Sequence, residues 1–294
     1  MFLSRQGHAE QADRLFAREQ QIKPGTGNKY ATLGRTLFRQ GMLEQAAEAY
    51  DQALETAPGS AELHNELGFI LGRLDRFDQA AIHFEAALRI QPEMADAHVN
   101  LGRVFLRQGK IDAAVAHLEK ALQIKPGLVG ARINLGRIYN HQGKFDQAAV
   151  HFEAALAIRP DLAGPQADLG RIFLRQGKTG QAAKHLKKSL ENKPDMVRPL
   201  NDLAWILATH EEESLREPDE AVRLAQRACD LTDYKRPDML DTLAVAYAAA
   251  GNFSEAVATS EKALLLAQLS GNIRLSGEIQ GRLMLFKEGR PYIQ

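Results

Sequence analysis

One cysteine, one tryptophan and no net charge set the first limits on this 294-residue chain. A single thiol, Cys229, excludes an intramolecular disulfide and a thiolate cluster for zinc or iron–sulfur. Lys plus Arg and Asp plus Glu number 37 each, so the chain lacks the basic surplus of a nucleic-acid binder. Its apolar runs are too short to cross a bilayer, which argues against direct membrane insertion. The first ten residues lack a basic-then-apolar leader, and cytoplasmic is the expected compartment. Catalytic signatures are also missing: the chain holds no HExxH, GxxxxGK[ST] or GxSxG motif, and no strand-linked GxGxxG. No enzyme activity and no cofactor are expected from it.

What is present is a repeat. Pro24, Pro58, Pro92, Pro126, Pro160 and Pro194 stand 34 residues apart. Leu33, Leu67, Leu101, Leu135, Leu169 and Leu203 keep the same step, as do Gly34, Gly68, Gly102, Gly136 and Gly170. Ala46, Ala80, Ala114, Ala148 and Ala182 form a further column. Each unit reads as two helices. Tyr30, Leu33, Gly34 and Leu37 share one helical face, and Ala46, Tyr50, Ala53 and Leu54 share another. Gly41, Gly109, Gly143 and Gly177 fall between the helices, where a turn asks for positive φ. Proline then ends the second helix, because it cannot continue the hydrogen-bond ladder. Glycine and alanine let the two helices approach, and Phe84, Phe105, Tyr139, Phe152 and Phe173 fill the gaps. One pair cannot bury its apolar face alone, so stacking must make the core.

This pattern resembles the tetratricopeptide repeat: a 34-residue unit with Leu-Gly, an aromatic, Ala, Phe and Pro at fixed offsets. The resemblance implies an all-α fold, a right-handed α-α superhelix closed by a C-terminal capping helix. Five regular units are expected at 27–60, 61–94, 95–128, 129–162 and 163–196. A sixth, at 197–236, carries an insertion of about five residues in HEEESLREPDE. A seventh covers 237–269, and 270–294 forms a cap whose tail, GRPYIQ, lies over the end of the stack. Residues 1–26 hold a partial unit, mainly a second helix, with Gly7, Ala12, Phe16 and Pro24 in register. Met1 lands within a first helix, so the chain is either part of a longer protein or pairs this edge with another surface.

In this family first helices line a concave groove that receives a peptide. One polar column here is Arg35, Phe69, Arg103, Arg137 and Arg171, and four residues on come Arg39, Arg73, Arg107, His141 and Arg175. Residues i and i+4 share a face, so each unit stacks two cations. Just before them lie Asn65, Asn100, Asn134, Asp168, Asn201 and Asp202. The resemblance implies that such asparagines hold the backbone of an extended peptide, since an amide both donates and accepts. The arginines would add bidentate contacts to carboxylate or phosphate, giving an acidic protein or peptide as partner. The other reading is that the repeat merely copies them and that Arg103 and Arg137 pair with Asp96, Asp168 or Glu66. The family's clamp for acidic C-termini uses Lys and Asn; here Arg stands in other places.

Further columns have plainer readings. His83, His117, His151 and His185 recur on the second helix, but stacked units place equivalents about 10 Å apart, and zinc ligands sit about 2 Å from the metal. A packing column is expected. Cys229 reads as a small core residue, and Trp205 as a core or rim residue that could also stack on a ligand. Residues 1–200 hold 27 basic and 22 acidic residues, against 10 and 15 in 201–294. The functional expectation is therefore a protein-interaction adapter. The alternatives are a scaffold that self-associates head to tail, and the substrate-selecting arm of a larger glycosyltransferase-like protein.

Overall fold

A computed structural model describes residues 29–293, so the expected partial unit at 1–26 lies outside the described residues. Every regular element among them is helical. The chain forms two compact units that meet after Gly143. The first holds α1 (Lys29–Arg39), α2 (Leu43–Thr56), α3 (Ala61–Arg73), α4 (Phe77–Ile90), α5 (Ala95–Arg107), α6 (Ile111–Ile124) and α7 (Val129–His141). The second holds α8 (Phe145–Ile158), α9 (Ala163–Arg175), α10 (Thr179–Asn192), α11 (Val197–Thr209), α12 (Pro218–Asp230), α13 (Pro237–Ala249), α14 (Phe253–Leu269) and α15 (Ile273–Lys287). Within each unit, consecutive helices pack in antiparallel pairs, and each pair packs on the next.

The period dictates this arrangement locally. Ala46, Tyr50 and Ala53 of α2 are buried, as are Ala80, Phe84 and Ala87 of α4, one helical face in each case. Gly41, Gly109, Gly143, Gly177 and Gly251 take φ between 73° and 79° and turn the chain from first helix to second. At the second repeat Asp75 holds that position with φ 58°, a left-handed conformation that Asp tolerates better than most residues.

The first-helix glycines have a more specific task than close helix approach. A methyl group at Gly34 would lie 2.7 Å from the Tyr50 ring, and one at Gly68 2.9 Å from the Phe84 ring. At Gly102 and Gly170 it would meet Leu118 at 2.9 Å and Leu186 at 2.7 Å. Each glycine is thus the socket for one bulky side chain of its own repeat's second helix. All four of those side chains are fully buried.

The second unit departs from the period. Between α11 and α12 the chain makes a 3₁₀ turn, Glu213–Leu215. The Glu217 amide donates to Leu207 O at 3.0 Å and returns the chain to the stack. The unit closes on a buried ion pair. Arg282 of α15 donates through Nε to Asp241 Oδ1 at 3.0 Å and through Nη2 to Asp241 Oδ2 at 2.6 Å. Glu278 lies 4.0 Å from the same guanidinium. Its other face stacks on Trp205, 5.3 Å from the ring centre, and on Tyr292, at 5.5 Å. The tail residue Tyr292 reaches Trp205 itself, with ring centres 5.9 Å apart.

Two stability tests follow. Gly102→Ala forces a methyl into the Leu118 socket and is expected to cost about 1–3 kcal/mol, read as a lower urea midpoint at unchanged m. Asp241→Ala strands a buried arginine and is expected to cost about 3–5 kcal/mol, with altered emission from Trp205, the single tryptophan, as the local readout.

Candidate functional site

The predicted cations on the first helices meet different fates. In the first unit Arg73, Arg103 and Arg107, with Asn100 and Asn134, line one notch whose walls include Phe69, Phe77, Phe84, Val104 and Leu106. Arg103 is exposed and has no acidic partner within ion-pair distance among the described residues. Arg107 stacks on Phe77 of the preceding repeat, 4.8 Å from its centre, and lies 3.4 Å from Asp75. Both members of that ion pair are exposed, so the pair contributes about 1 kcal/mol at most. Arg73 sits 6.0 Å from the Phe38 ring. Arg35, Tyr50 and Glu66 line a separate pocket, where Tyr50 donates to Glu66 at 3.2 Å. Burial, reinforced by Glu66, pushes the Tyr50 hydroxyl up to about 12. Arg39 and Arg137 are exposed.

The asparagines bond across repeats. Asn100 Nδ2 donates to Asn65 Oδ1 at 3.1 Å, which orients both amides and leaves the Asn65 donors and the Asn100 acceptor for a ligand. A second pocket shares Phe69 and Asn100 with the notch and is lined also by Asn65, Glu66, Asp96 and Val99. Phe69 thus borders a pocket with acidic residues and one with basic residues.

In the second unit the same columns are bound up internally. Arg171 lies 3.9 Å from Asp202. Burial pushes the Asp202 carboxyl up, while Arg171 and Arg198 hold it back. Arg175 stacks on Phe145 at 5.3 Å, matching Arg107 on Phe77. Gln176 donates to Asp146 at 2.9 Å as Gln108 does to Asp78 at 2.8 Å, so this segment braces successive repeats. Asp168 is half-buried, and Asn201 Oδ1 is buried with no protein partner. Cys229 is fully buried, and burial, with help from Asp230, pushes its thiol up to about 12, out of reach as a nucleophile.

Sequence reasoning missed the partners of the histidine column. His64 Nδ1 and His83 Nδ1 lie 3.0 Å apart, and His98 Nδ1 and His117 Nδ1 lie 2.8 Å apart. The other nitrogens of His64 and His98 bond to the carbonyls of Pro58 and Pro92 at 3.2 Å and 3.0 Å. A carbonyl only accepts, so Nε2 carries the proton; in the neutral ring Nδ1 then accepts from His83 or His117. In the fifth repeat Gln166 Oε1 takes the equivalent place, 2.7 Å from His185 Nδ1. The 34-residue step from His64 to His98 was the available signal.

Tetratricopeptide repeat family models match residues 59–127, 105–161 and 141–200, and a TPR repeat model matches 34–75. Together they span more than half of the chain. The chain belongs to the tetratricopeptide repeat family. Solved relatives bear out the fold. A Pseudomonas aeruginosa pilF structure aligns with TM-score 0.61 at 21% identity, over 75% of this chain and 96% of that one. MamA of Desulfovibrio magneticus RS-1 aligns with TM-score 0.52 at 21% identity, over 57% and 95%. YrrB, described as a TPR protein with an unusual peptide-binding site, gives 0.50 at 24% identity, over 63% and 95%. No curated protein sequence matches the chain. The tetratricopeptide repeat is in general a protein-interaction scaffold, offering extended surfaces rather than a catalytic cleft. No helix among the described residues is long and apolar enough to cross a membrane.

Burial first, and then the facing His64 or His98, holds His83 and His117 below the ordinary 6.5; Asp51 opposes this at His83. His185 is also held low, by burial and then by Lys188 and Lys184. A depressed histidine binds fewer protons folded than unfolded, so its contribution is complete above about 6.5 and is lost as pH falls below it. Melting temperature is expected to fall between pH 7.5 and 5.5. The fall should be smaller in His83→Gln/His117→Gln, because Gln already pairs with His at 166 and 185.

Proposed function

We propose that this TPR array is a non-enzymatic adapter that binds an extended acidic segment of a partner protein on the first-helix face of its first unit. One observation carries the reading: Arg73 and Arg103 converge with Asn100 and Asn134 around one notch, with Arg107 braced on Phe77 at its rim, and Arg103 has no acidic residue within ion-pair distance among the described residues. An extended peptide leaves its backbone amides unsatisfied; the oriented Asn65–Asn100 pair meets them independently of sequence. The guanidiniums supply the selection for acid. Arg171 and Arg175 of the second unit are taken up by Asp202 and Phe145, which makes them bracing rather than anchors. The peptide-binding description of YrrB agrees in kind, at an identity that carries the fold alone.

A second reading, self-association, has its own observation. Leu269, Ile273 and Met284 are 75%, 85% and 63% exposed around the last helix. Sedimentation of the purified chain over a wide concentration range tests it, and a monomer throughout would end it.

The adapter reading is tested with fluorescent Asp/Glu-rich peptides and anisotropy. Arg73→Glu/Arg103→Glu is expected to weaken binding by about tenfold or more at unchanged helix content, with wild-type affinity falling as salt rises. Equal affinity for wild type and variant would remove the arginines from the site.

A further inference from the structure

The notch exists because the second repeat breaks the pattern twice. Position 69 is Phe where the other regular repeats carry Arg35, Arg103, Arg137 and Arg171. Position 72 is Gly where they carry Phe38, Leu106, Asn140 and Leu174. A methyl built at Gly72 would touch nothing, in contrast to Gly68, whose socket Phe84 fills. Gly72 is therefore no socket for a neighbouring side chain; it lines the notch, where the missing side chain leaves space. The two departures, three residues apart on one helical face, replace a cation with an aromatic wall and remove the side chain beside it. What results is a cavity of about 230 Å³ with Phe69, Phe77 and Phe84 as its apolar lining and Arg73, Arg103 and Arg107 at its rim.

We propose that this notch is a specificity pocket for one aromatic side chain of the bound segment, with acidic residues on one side of that aromatic only. The proposal rests on the adapter reading and refines it. The volume and the aromatic lining suit a Phe, Tyr or Trp ring, for which edge or offset contact with Phe69 and Phe77 is favourable. The arginine rim sets acid on that flank, whereas Glu66 and Asp96 of the pocket that shares Phe69 repel it on the other. The chain itself supplies a parallel. Trp205, 34 residues after Arg171, is the next non-arginine position of the same column, and there the chain's own Tyr292 and Arg282 pack on it. Where the column turns aromatic in the second unit, an aromatic and a guanidinium of the chain occupy it. Where it turns aromatic in the first unit, Phe69 meets Phe38 edge-on, with ring centres 5.7 Å apart, and its notch side, rimmed by Arg73, Arg103 and Arg107, is the side open to a partner's ring.

The test uses the full chain and four labelled peptides. Two carry Phe followed by or preceded by an Asp-Asp pair, with Gly-Lys on the opposite flank; two replace Phe with Ala. The key variant, Phe69→Arg/Gly72→Leu, restores residues found in neighbouring repeats and fills the notch. Phe69→Arg gives up the edge contact with Phe38, so Gly72→Leu alone, which adds a side chain in open space within a helix, is tested beside it, with helix content and melting of both compared with wild type. For one peptide order, Phe is expected to bind about tenfold or more tighter than Ala, a preference abolished in the variant. Equal binding of Phe and Ala in both orders, or a preference that survives in the variant, overturns the pocket. If Ala peptides bind and Arg73→Glu/Arg103→Glu abolishes it, the adapter reading stands and only the pocket falls. If no peptide binds wild type, both fall.

Discussion

The contact on which the rest depends is a glycine of the first helix receiving a bulky side chain of the second. Gly34 receives Tyr50, Gly68 receives Phe84, Gly102 receives Leu118 and Gly170 receives Leu186. A helix pair of about 27 residues has too little interior to be stable alone, so its apolar faces must be flat enough to stack on the next pair. The socket achieves this by sinking the largest side chain into the opposite helix. Small side chains accompany it within each pair: Ala80, Ala114, Ala148 and Ala182 are all fully buried. Because these four pairs are built the same way, each of their first helices turns the same sequence positions away from the socket, and polar residues at those positions recur with the period.

A ladder produced by duplication is not yet a site. Arg107 and Arg175 show this: each spends its guanidinium on the phenylalanine that opens the previous repeat's second helix. The neighbouring glutamines repeat the same bridge to Asp78 and Asp146. These interactions tie adjacent repeats together at a polar, solvent-facing edge where the apolar columns do not reach. Function is better sought where the copies differ. Asp75, Phe69 and Gly72 all fall in the second repeat, and together they leave one place where cations, amides and an empty apolar space meet. The histidine pairs teach the complementary lesson. His64–His83 and His98–His117 join first helix to second with a hydrogen bond that needs one Nδ1 unprotonated to accept.

Helices α11 to α15 depart from the regular punctuation. The longer turn there separates α11 from α12, and the regular proline-and-glycine punctuation gives way to Pro218 and Pro237 at helix starts. A last helix needs something on its far side. Arg282 of α15 turns inward to Asp241, buried on both sides, and is covered by Trp205 and the tail through Tyr292. Both carboxylate oxygens of Asp241 accept from the guanidinium, which satisfies the two buried charges against each other.

Much of this was legible in the chain itself. The 34-residue step in Leu, Gly, Ala and Pro determined helix pairs, their turns and the all-α class, because burial and backbone geometry repeat with the period and can be read without knowing distances. The arginine and asparagine columns were equally legible as residues on one face. What they do was decided only by tertiary structure. A guanidinium's role depends on whether a ring or carboxylate from another repeat lies within a few ångströms, and sequence separations of about 30 residues, as between Arg107 and Phe77, do not announce such neighbours. The same limit hid the partner of His83, the use of Arg282 and the emptiness beside Gly72. Each is a fact about what stands opposite a side chain, and only the stacking of one helix pair on the next determines that.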